Sequence, residues 1–147
     1  MMIRGIPIVY YGTEQNFNQQ HNRASLWHRS FKSSTEMYRL LADLNSVRNE
    51  FDLRLSTMTV VHVDNASIIF RRGVNPRRSI WVFLNNDAGG ANTTRLYCAA
   101  NVTLLPSAPH YFWRDYLSGR AASFKDGCVV SFDTWPMVFV PSRSSSA

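Results

Sequence analysis

Residues 4–15 read RGIPIVYYGTEQ, and this stretch decides the fold. Within it, residues 6–11 form a short apolar run that ends at Gly12. An uninterrupted apolar run of this length predicts a strand that is buried on both faces. Strands of that kind lie in parallel sheets and barrels, with a neighbouring strand on either side. The stretch therefore predicts one strand of a larger parallel sheet or barrel.

A helix is predicted over residues 34–49. Ser33 and Glu36 form the Ser-x-x-Glu pattern of a capping box, in which both side chains satisfy amides at a helix start. The apolar side chains that follow have helical spacing and form one stripe: Met37, Leu40, Leu41, Leu44 and Val47. The polar, amide-rich residues 13–31, which precede the helix, are predicted to be a loop with aromatic anchors.

The hydrophobic period changes to two after residue 51. Residues 58–63, 68–70 and 79–84 predict strands, and turns rich in Gly, Asn and Asp separate them. Further strands are predicted near residues 94–98, 111–116, 128–132 and 137–140. Short strands at this spacing indicate an antiparallel β-sandwich, in which Trp81 and Phe83 are interpreted as core residues. The serine-rich residues 142–147 are predicted to be disordered.

Composition excludes some classes of protein. The chain has 147 residues, of which 45% are hydrophobic and 18% charged, and this excludes global disorder. No apolar run approaches the roughly 20 residues that a membrane-spanning helix needs. The net charge of +6 comes almost entirely from scattered Arg residues. Arg71, Arg72, Arg77 and Arg78 flank a predicted turn, which we interpret as a solvated hairpin tip; phosphate binding is the alternative. We expect neither nucleic acid nor membrane as a partner.

Cys98 and Cys128 have no metal-site spacing with the four His residues, so one disulfide and two free thiols are both open.

Three Asn-x-Ser/Thr motifs, at Asn65, Asn92 and Asn101, permit glycosylation if the chain enters a secretory compartment. The opening residues do not have the pattern of a secretion signal, and localisation stays open.

Residues 4–15 resemble, almost word for word, the eighth-strand signature of the α-amylase family of glycoside hydrolases. Residues 22–27 (NRASLW) are similar to the Asn-Arg-x-x-x-Trp motif that follows this strand in fungal-type α-amylases, and residues 36–49 to the last barrel helix. The strand-rich remainder is similar to the β-sandwich called domain C.

The resemblance implies a mainly β fold. Residues 1–50 would be the strand, loop and helix that remain of a (β/α)8 TIM barrel. Residues 51–141 would be an antiparallel β-sandwich of the domain C type, and residues 142–147 a tail. A barrel strand without its neighbours presents two unpaired edges, so residues 1–50 are expected either to be poorly ordered or to dock on the sandwich or on another chain, with self-association through the exposed strand as one form of docking.

The function implied is that of the C-terminal part of an enzyme acting on α-1,4-glucans such as starch. In this family the three catalytic carboxylates come from the fourth, fifth and seventh strands, so no catalytic residue is expected here. The family's calcium site lies in the same upstream region, so no metal or other cofactor is expected in this chain. The expected partner is an α-glucan, bound weakly or through the upstream barrel.

Four residues are considered for the site. Arg23 matches the Arg that binds a glucose unit in fungal-type relatives, although an Arg that anchors the loop is an equally good interpretation. Trp27 could stack on a sugar ring, as could Phe17, or either could pack into the core. Glu14 follows the strand and is expected to support the barrel mouth. The alternative function is a non-catalytic glucan-binding module that uses Arg23, Trp27 and the aromatic residues 111–116.

Overall fold

The computed structural model of the protein describes residues 1–17, 25–86, 96–98, 103–106, 111–126, 128–130 and 136–143. The chain divides into two compact units, Met1–Arg54 and Leu55–Ala147. In the described residues there are one α-helix and eight β-strands. The helix is too short and too polar to cross a bilayer, and these residues contain no other candidate span.

The helix of the first unit, α1, runs from Glu36 to Glu50. Its N-cap is Thr35, whose side-chain oxygen accepts a hydrogen bond from the backbone amide of Tyr38 at 3.1 Å. The prediction that Ser33 caps the helix is therefore wrong. The hydroxyl that is held in place beside the first free amides is that of Thr35, so the helix begins two residues after the predicted start.

Arg48 connects the last turn of α1 to the N-terminal residues. Its guanidinium donates to the carbonyl oxygen of Met1 at 2.5 Å and to that of Gly5 at 3.2 Å, and the residue is buried. A buried cation needs such acceptors because an unsatisfied one costs several kcal/mol. Residues 1–5 are thus fixed to the helix by a side chain more than forty positions away.

Residues 6–11 do not form the doubly buried strand that the apolar run predicts. They pair with no strand in the described part of the chain, and the side chains of Ile6 and Ile8 are 90% and 92% exposed. Val9, Tyr10 and Tyr11 are also exposed. Burial of such a strand depends on neighbours on both sides, and the described residues supply neither of them.

The second unit consists of two antiparallel sheets. The strands are β1 Met58–Val63, β2 Ser67–Arg72, β3 Ile80–Asn85, β4 Leu96–Tyr97, β5 Tyr111–Asp115, β6 Ser123–Lys125, β7 Cys128–Val130 and β8 Met137–Arg143. One sheet has the order β1-β2-β3-β8-β5 and the other the order β4-β7-β6. Every pair is antiparallel, so the predicted mainly β, antiparallel fold class is confirmed.

Both sheets contribute to one hydrophobic core. The larger sheet supplies Ile69, Trp81, Phe83, Trp113, Met137 and Phe139, the smaller sheet Tyr97 and Val129, and a connection Leu104 and Leu105. Trp81 and Phe83 are buried, which confirms their predicted role in the core. Their neighbours Ile80 and Val82 are buried as well, so β3 is covered on both faces. An apolar pattern without alternation is typical of such a central strand.

The strands of the second unit differ from the prediction at two places. Ser142 and Arg143, expected to lie in a disordered tail, belong to β8, where they pair with Phe112 and Tyr111. Residues 144–147 lie outside the described residues. The short strand β6 was not predicted, because Ser123–Lys125 has one apolar residue in three and gives no period-two signal.

A disulfide between Cys98 and Cys128 resolves the alternatives left open by the sequence. Cys98 directly follows β4 and Cys128 begins β7, which pairs with β4. The two cysteines are 30 positions apart. A cross-link over a loop of this length restricts the unfolded chain and stabilises the fold by about 3–4 kcal/mol.

We therefore expect the double variant Cys98→Ala/Cys128→Ala to lose about 3–4 kcal/mol of unfolding free energy in the Leu55–Ala147 unit. Urea denaturation followed by tryptophan fluorescence measures this loss, since Trp81 and Trp113 are buried in the core. Dithiothreitol should reproduce the loss in the wild-type chain and leave the double variant unchanged. A loss below about 1 kcal/mol would show that the cross-link is dispensable.

Candidate functional site

The turn that follows the exposed segment is built around Gly12. This residue has a φ of +79°, and a Cβ placed there would overlap the ring of Phe17. The amides of Gln15 and Phe17 both donate to the carbonyl oxygen of Gly12 at 3.0 Å, which closes a 3-10 turn over Thr13–Gln15. Glycine is required here because it alone combines the left-handed backbone with the close approach of the ring.

Two side chains join this turn to the start of α1. Gln15 is buried, and its amide donates to the carbonyl oxygen of Lys32 at 3.1 Å. The hydroxyl of Thr35 donates to the carbonyl oxygen of Glu14 at 2.5 Å while it accepts from the amide of Tyr38. One hydroxyl thus serves as donor to the turn and as acceptor for the helix, which fixes the position of Glu14 relative to α1.

Glu14 is anchored through its backbone. Its side chain is half-buried, and no described residue donates a hydrogen bond to its carboxylate. The expectation that Glu14 supports a barrel mouth stays a prediction.

The two predicted substrate-binding residues differ in what the structure says of them. Arg23 lies outside the described residues. Trp27 is on a short 3-10 helix, Leu26–Arg29, and 67% of its surface is exposed. Phe17, the other aromatic candidate, is half-buried, and its ring contacts that of Tyr11 edge-on at a centroid distance of 6.1 Å. Trp27 therefore has a face accessible to a ligand, whereas Phe17 packs within the turn.

Two carboxylates of the second unit have structural partners. Asp115 is buried and accepts from the amide of Val138 at 2.8 Å and from the amide and hydroxyl of Ser118. Asp64 accepts from the amides of Ala66 and Ser67 in the turn between β1 and β2. An Asp with Ser three positions later is a turn signal that could have predicted both roles.

The four arginines at the end of β2 and in the connection to β3 do not form one solvated tip, so that interpretation is wrong for half of them. Arg72 is fully buried and donates to the carbonyl oxygen of Ser56 at 3.2 Å. Arg71 is half-buried and lies over the ring of Trp81, its cross-strand partner, at 5.9 Å. Only Arg77 and Arg78 are exposed, as predicted. Both β2 arginines are held by the ladder, because they are in register with residues of β3.

The aromatic stretch in β5 is divided between the two sides of its strand. Trp113 is buried, and its indole nitrogen donates to the carbonyl oxygen of Pro106 at 3.0 Å. Phe112 and Arg114 are exposed.

The described residues contain no group of three or more His, Cys, Asp or Glu side chains that could hold a metal ion.

Comparison with known proteins finds α-amylases. The chain is 32% identical over 101 residues to α-amylase 2 of Schwanniomyces occidentalis, a match that covers 63% of this chain and 20% of that protein. It is 51% identical over 51 residues to α-amylase 2 of Schizosaccharomyces pombe, which covers 33% of this chain and 9% of the relative. A β/α-amylase of Paenibacillus polymyxa is 36% identical over 84 residues, 56% of this chain and 7% of that protein.

The resemblance to the α-amylase family is confirmed. The chain spans about a fifth of the length of the two Schwanniomyces occidentalis relatives, which fits a C-terminal portion. No family model matches it. Among solved structures it is similar to a cyclomaltodextrin glucanotransferase with a three-domain ABC distribution, with a TM-score of 0.59 and 22% identity over 97% of this chain and 30% of the other. At this identity the likeness shows the fold alone.

Thr35 is the residue on which the geometry of the turn depends, and we expect Thr35→Ala to loosen it. The substitution removes an N-cap and the bond to the Glu14 carbonyl, so local stability falls by about 1–2 kcal/mol. Residue-resolved amide hydrogen exchange measures the effect, with Tyr38 as the reporter because its amide loses its acceptor. Ser33→Ala is the matched control and should leave exchange at Tyr38 unchanged. Equal acceleration in both variants would contradict the assignment of the cap.

Proposed function

We propose that the chain is the C-terminal part of an α-amylase-like glycoside hydrolase that acts on α-1,4-glucans. The observation that carries this is the segment formed by residues 6–11, which is apolar, exposed and without a strand partner in the described residues. Directly after it comes a turn that is already fixed to the following helix. This combination is expected of the last strand of a barrel, its loop and its helix. The relatives named α-amylases support the same assignment.

We infer further that this chain alone does not hydrolyse glucans. A retaining glycosidase needs a carboxylate nucleophile and a protonated carboxyl group about 5 Å from it. The carboxylates of Asp64 and Asp115 are occupied by bonds that hold turns and strands together. Glu14 would need a second carboxyl group opposite it. In the family that this chain resembles, the carboxyl groups that catalyse hydrolysis come from earlier barrel strands.

The test is the release of reducing ends from soluble starch by the purified 147-residue chain. We expect no release above that in buffer, with a known α-amylase as positive control for the substrate. Glu14→Gln should behave like the wild type. Release by the wild type that is lost in Glu14→Gln would overturn the inference, and equal release by both preparations would point to a contaminating enzyme.

A second candidate function is the binding of glucan without catalysis, which the exposure of Trp27 favours. An indole with two thirds of its surface exposed to solvent can cover the apolar face of a glucose ring. Arg23, four positions earlier in the chain, would then contribute hydrogen-bond donors to the sugar hydroxyls. In this proposal the two residues form a subsite next to the barrel mouth.

We expect Trp27→Ala to weaken binding of β-cyclodextrin by about tenfold, the equivalent of about 1.4 kcal/mol. Isothermal titration calorimetry measures the affinity. Phe31→Ala is the matched control, since Phe31 belongs to the same unit and is similarly exposed, at 63% against 67% for Trp27. Undiminished affinity in Trp27→Ala, or an equal loss in both variants, would rule out a specific subsite at Trp27.

A further inference from the structure

The turn between β1 and β2 carries a modifiable side chain that the proposed function does not use. Asn65 occupies an exposed position of this turn and is the first residue of the motif Asn65-Ala66-Ser67. We propose that Asn65 is a site of N-linked glycosylation, with an N-acetylglucosamine-based oligosaccharide attached in the folded, disulfide-bonded unit.

The turn is rigid without help from the Asn65 side chain. The amide of Asp64 donates to the carbonyl oxygen of Ser67 at 3.0 Å and closes it. The Asp64 carboxylate accepts from the amides of Ala66 and Ser67 at 2.8 and 2.6 Å. The imidazole of His62 lies 2.9 Å from the same carboxylate. This contact and the two amide bonds hold the pKa of Asp64 well below its usual range, so it stays ionised at neutral pH.

The side-chain amide of Asn65 is available for substitution. Asn65 accepts one hydrogen bond, from the side chain of Asn86, through its backbone oxygen. Within the described residues its own side-chain amide has no hydrogen-bond partner. Replacing a hydrogen on that nitrogen by a sugar therefore breaks no bond of the turn. If the side-chain amide of Asn65 itself held the turn together, attaching a sugar to it would break a hydrogen bond of the turn.

The surroundings leave room for a bulky, hydrophilic group. A depression of about 240 Å³ opens beside Asn65, lined in part by Val63, Ile68, Leu84 and Asn86. Strand β1 is the end strand of the larger sheet, and Val63 next to the turn is 67% exposed. A glycan here would cover an exposed apolar side chain and obstruct the addition of another strand to the sheet edge.

The disulfide supplies the second observation. A cross-link such as Cys98–Cys128 forms and persists in oxidising compartments, the secretory pathway among them. The enzymatic transfer to Asn-x-Ser/Thr motifs takes place on that pathway. The exposed motif in a surface turn and the disulfide thus point to the same route through the cell.

The reaction is a group transfer from a lipid-pyrophosphate-linked oligosaccharide. The Nδ2 atom of Asn65 forms a bond to the anomeric carbon of the first N-acetylglucosamine. The bond from this carbon to the pyrophosphate oxygen breaks, and the lipid pyrophosphate leaves with the electron pair. The nitrogen loses one proton, and no oxidant or reductant takes part.

The test translates the full 147-residue chain, behind a cleavable secretion leader, into microsomes that contain the oligosaccharide donor. Asn92→Gln and Asn101→Gln are introduced together to remove the other two motifs. We expect this variant to carry one glycan, seen as a gel shift that peptide N-glycosidase reverses. Peptide mass spectrometry should place it at Asn65, in molecules whose Cys98–Cys128 disulfide is formed.

Matched substitutions define the outcome. Adding Asn65→Gln should abolish the shift, whereas Ser67→Thr, which keeps both the motif and a hydroxyl, should retain it. An unmodified Asn65 peptide from imported chains would overturn the proposal. A glycan present only on molecules that lack the disulfide would also overturn it, because the folded unit would then exclude the modification.

Discussion

The packing of the Phe83 ring against two other aromatic rings is the contact on which the sandwich depends. The Phe83 ring lies edge-on against Tyr97 of the smaller sheet at a centroid distance of 5.3 Å and against Phe139 of its own sheet at 5.4 Å. Strands of two and three residues do not form a stable sheet by themselves. The smaller sheet therefore persists because its apolar face packs on the larger one, and the Cys98–Cys128 disulfide strengthens its β4–β7 pair.

The unit formed by Met1–Arg54 is held together in a different way. Gln15, Thr35 and Arg48 each donate hydrogen bonds to backbone carbonyl oxygens of distant residues. The apolar stripe of α1 is only half-buried except at Val47. Polar bonds define the geometry of this unit, while much of its apolar surface stays exposed. A barrel would bury such surface, and the proposed function requires one.

Three acidic residues differ in whether their carboxylates stabilise the fold. Asp64 closes a turn, and Asp115 joins β5 to β8 and to the next turn. Glu14 is different, because its backbone is fixed while its carboxylate has no donor among the described residues. Trp27 is the described site candidate to which the second candidate function assigns a role, whereas the support of a barrel mouth by Glu14 stays a prediction. Both belong to the unit that contains the barrel-like sequence.

The amino-acid sequence by itself determined the antiparallel strands, the helix, the core role of Trp81 and Phe83, and the family resemblance, because these follow from local periodicity and a contiguous motif. It predicted the wrong N-cap because Thr35 is selected over Ser33 with the help of a carbonyl 21 positions away. Only the tertiary structure decided that Arg72 is buried, that the cysteines are joined and that residues 6–11 pair with no strand in the described part of the chain. Burial, cross-linking and strand pairing depend on which distant segments meet, and the local pattern of side chains does not encode this.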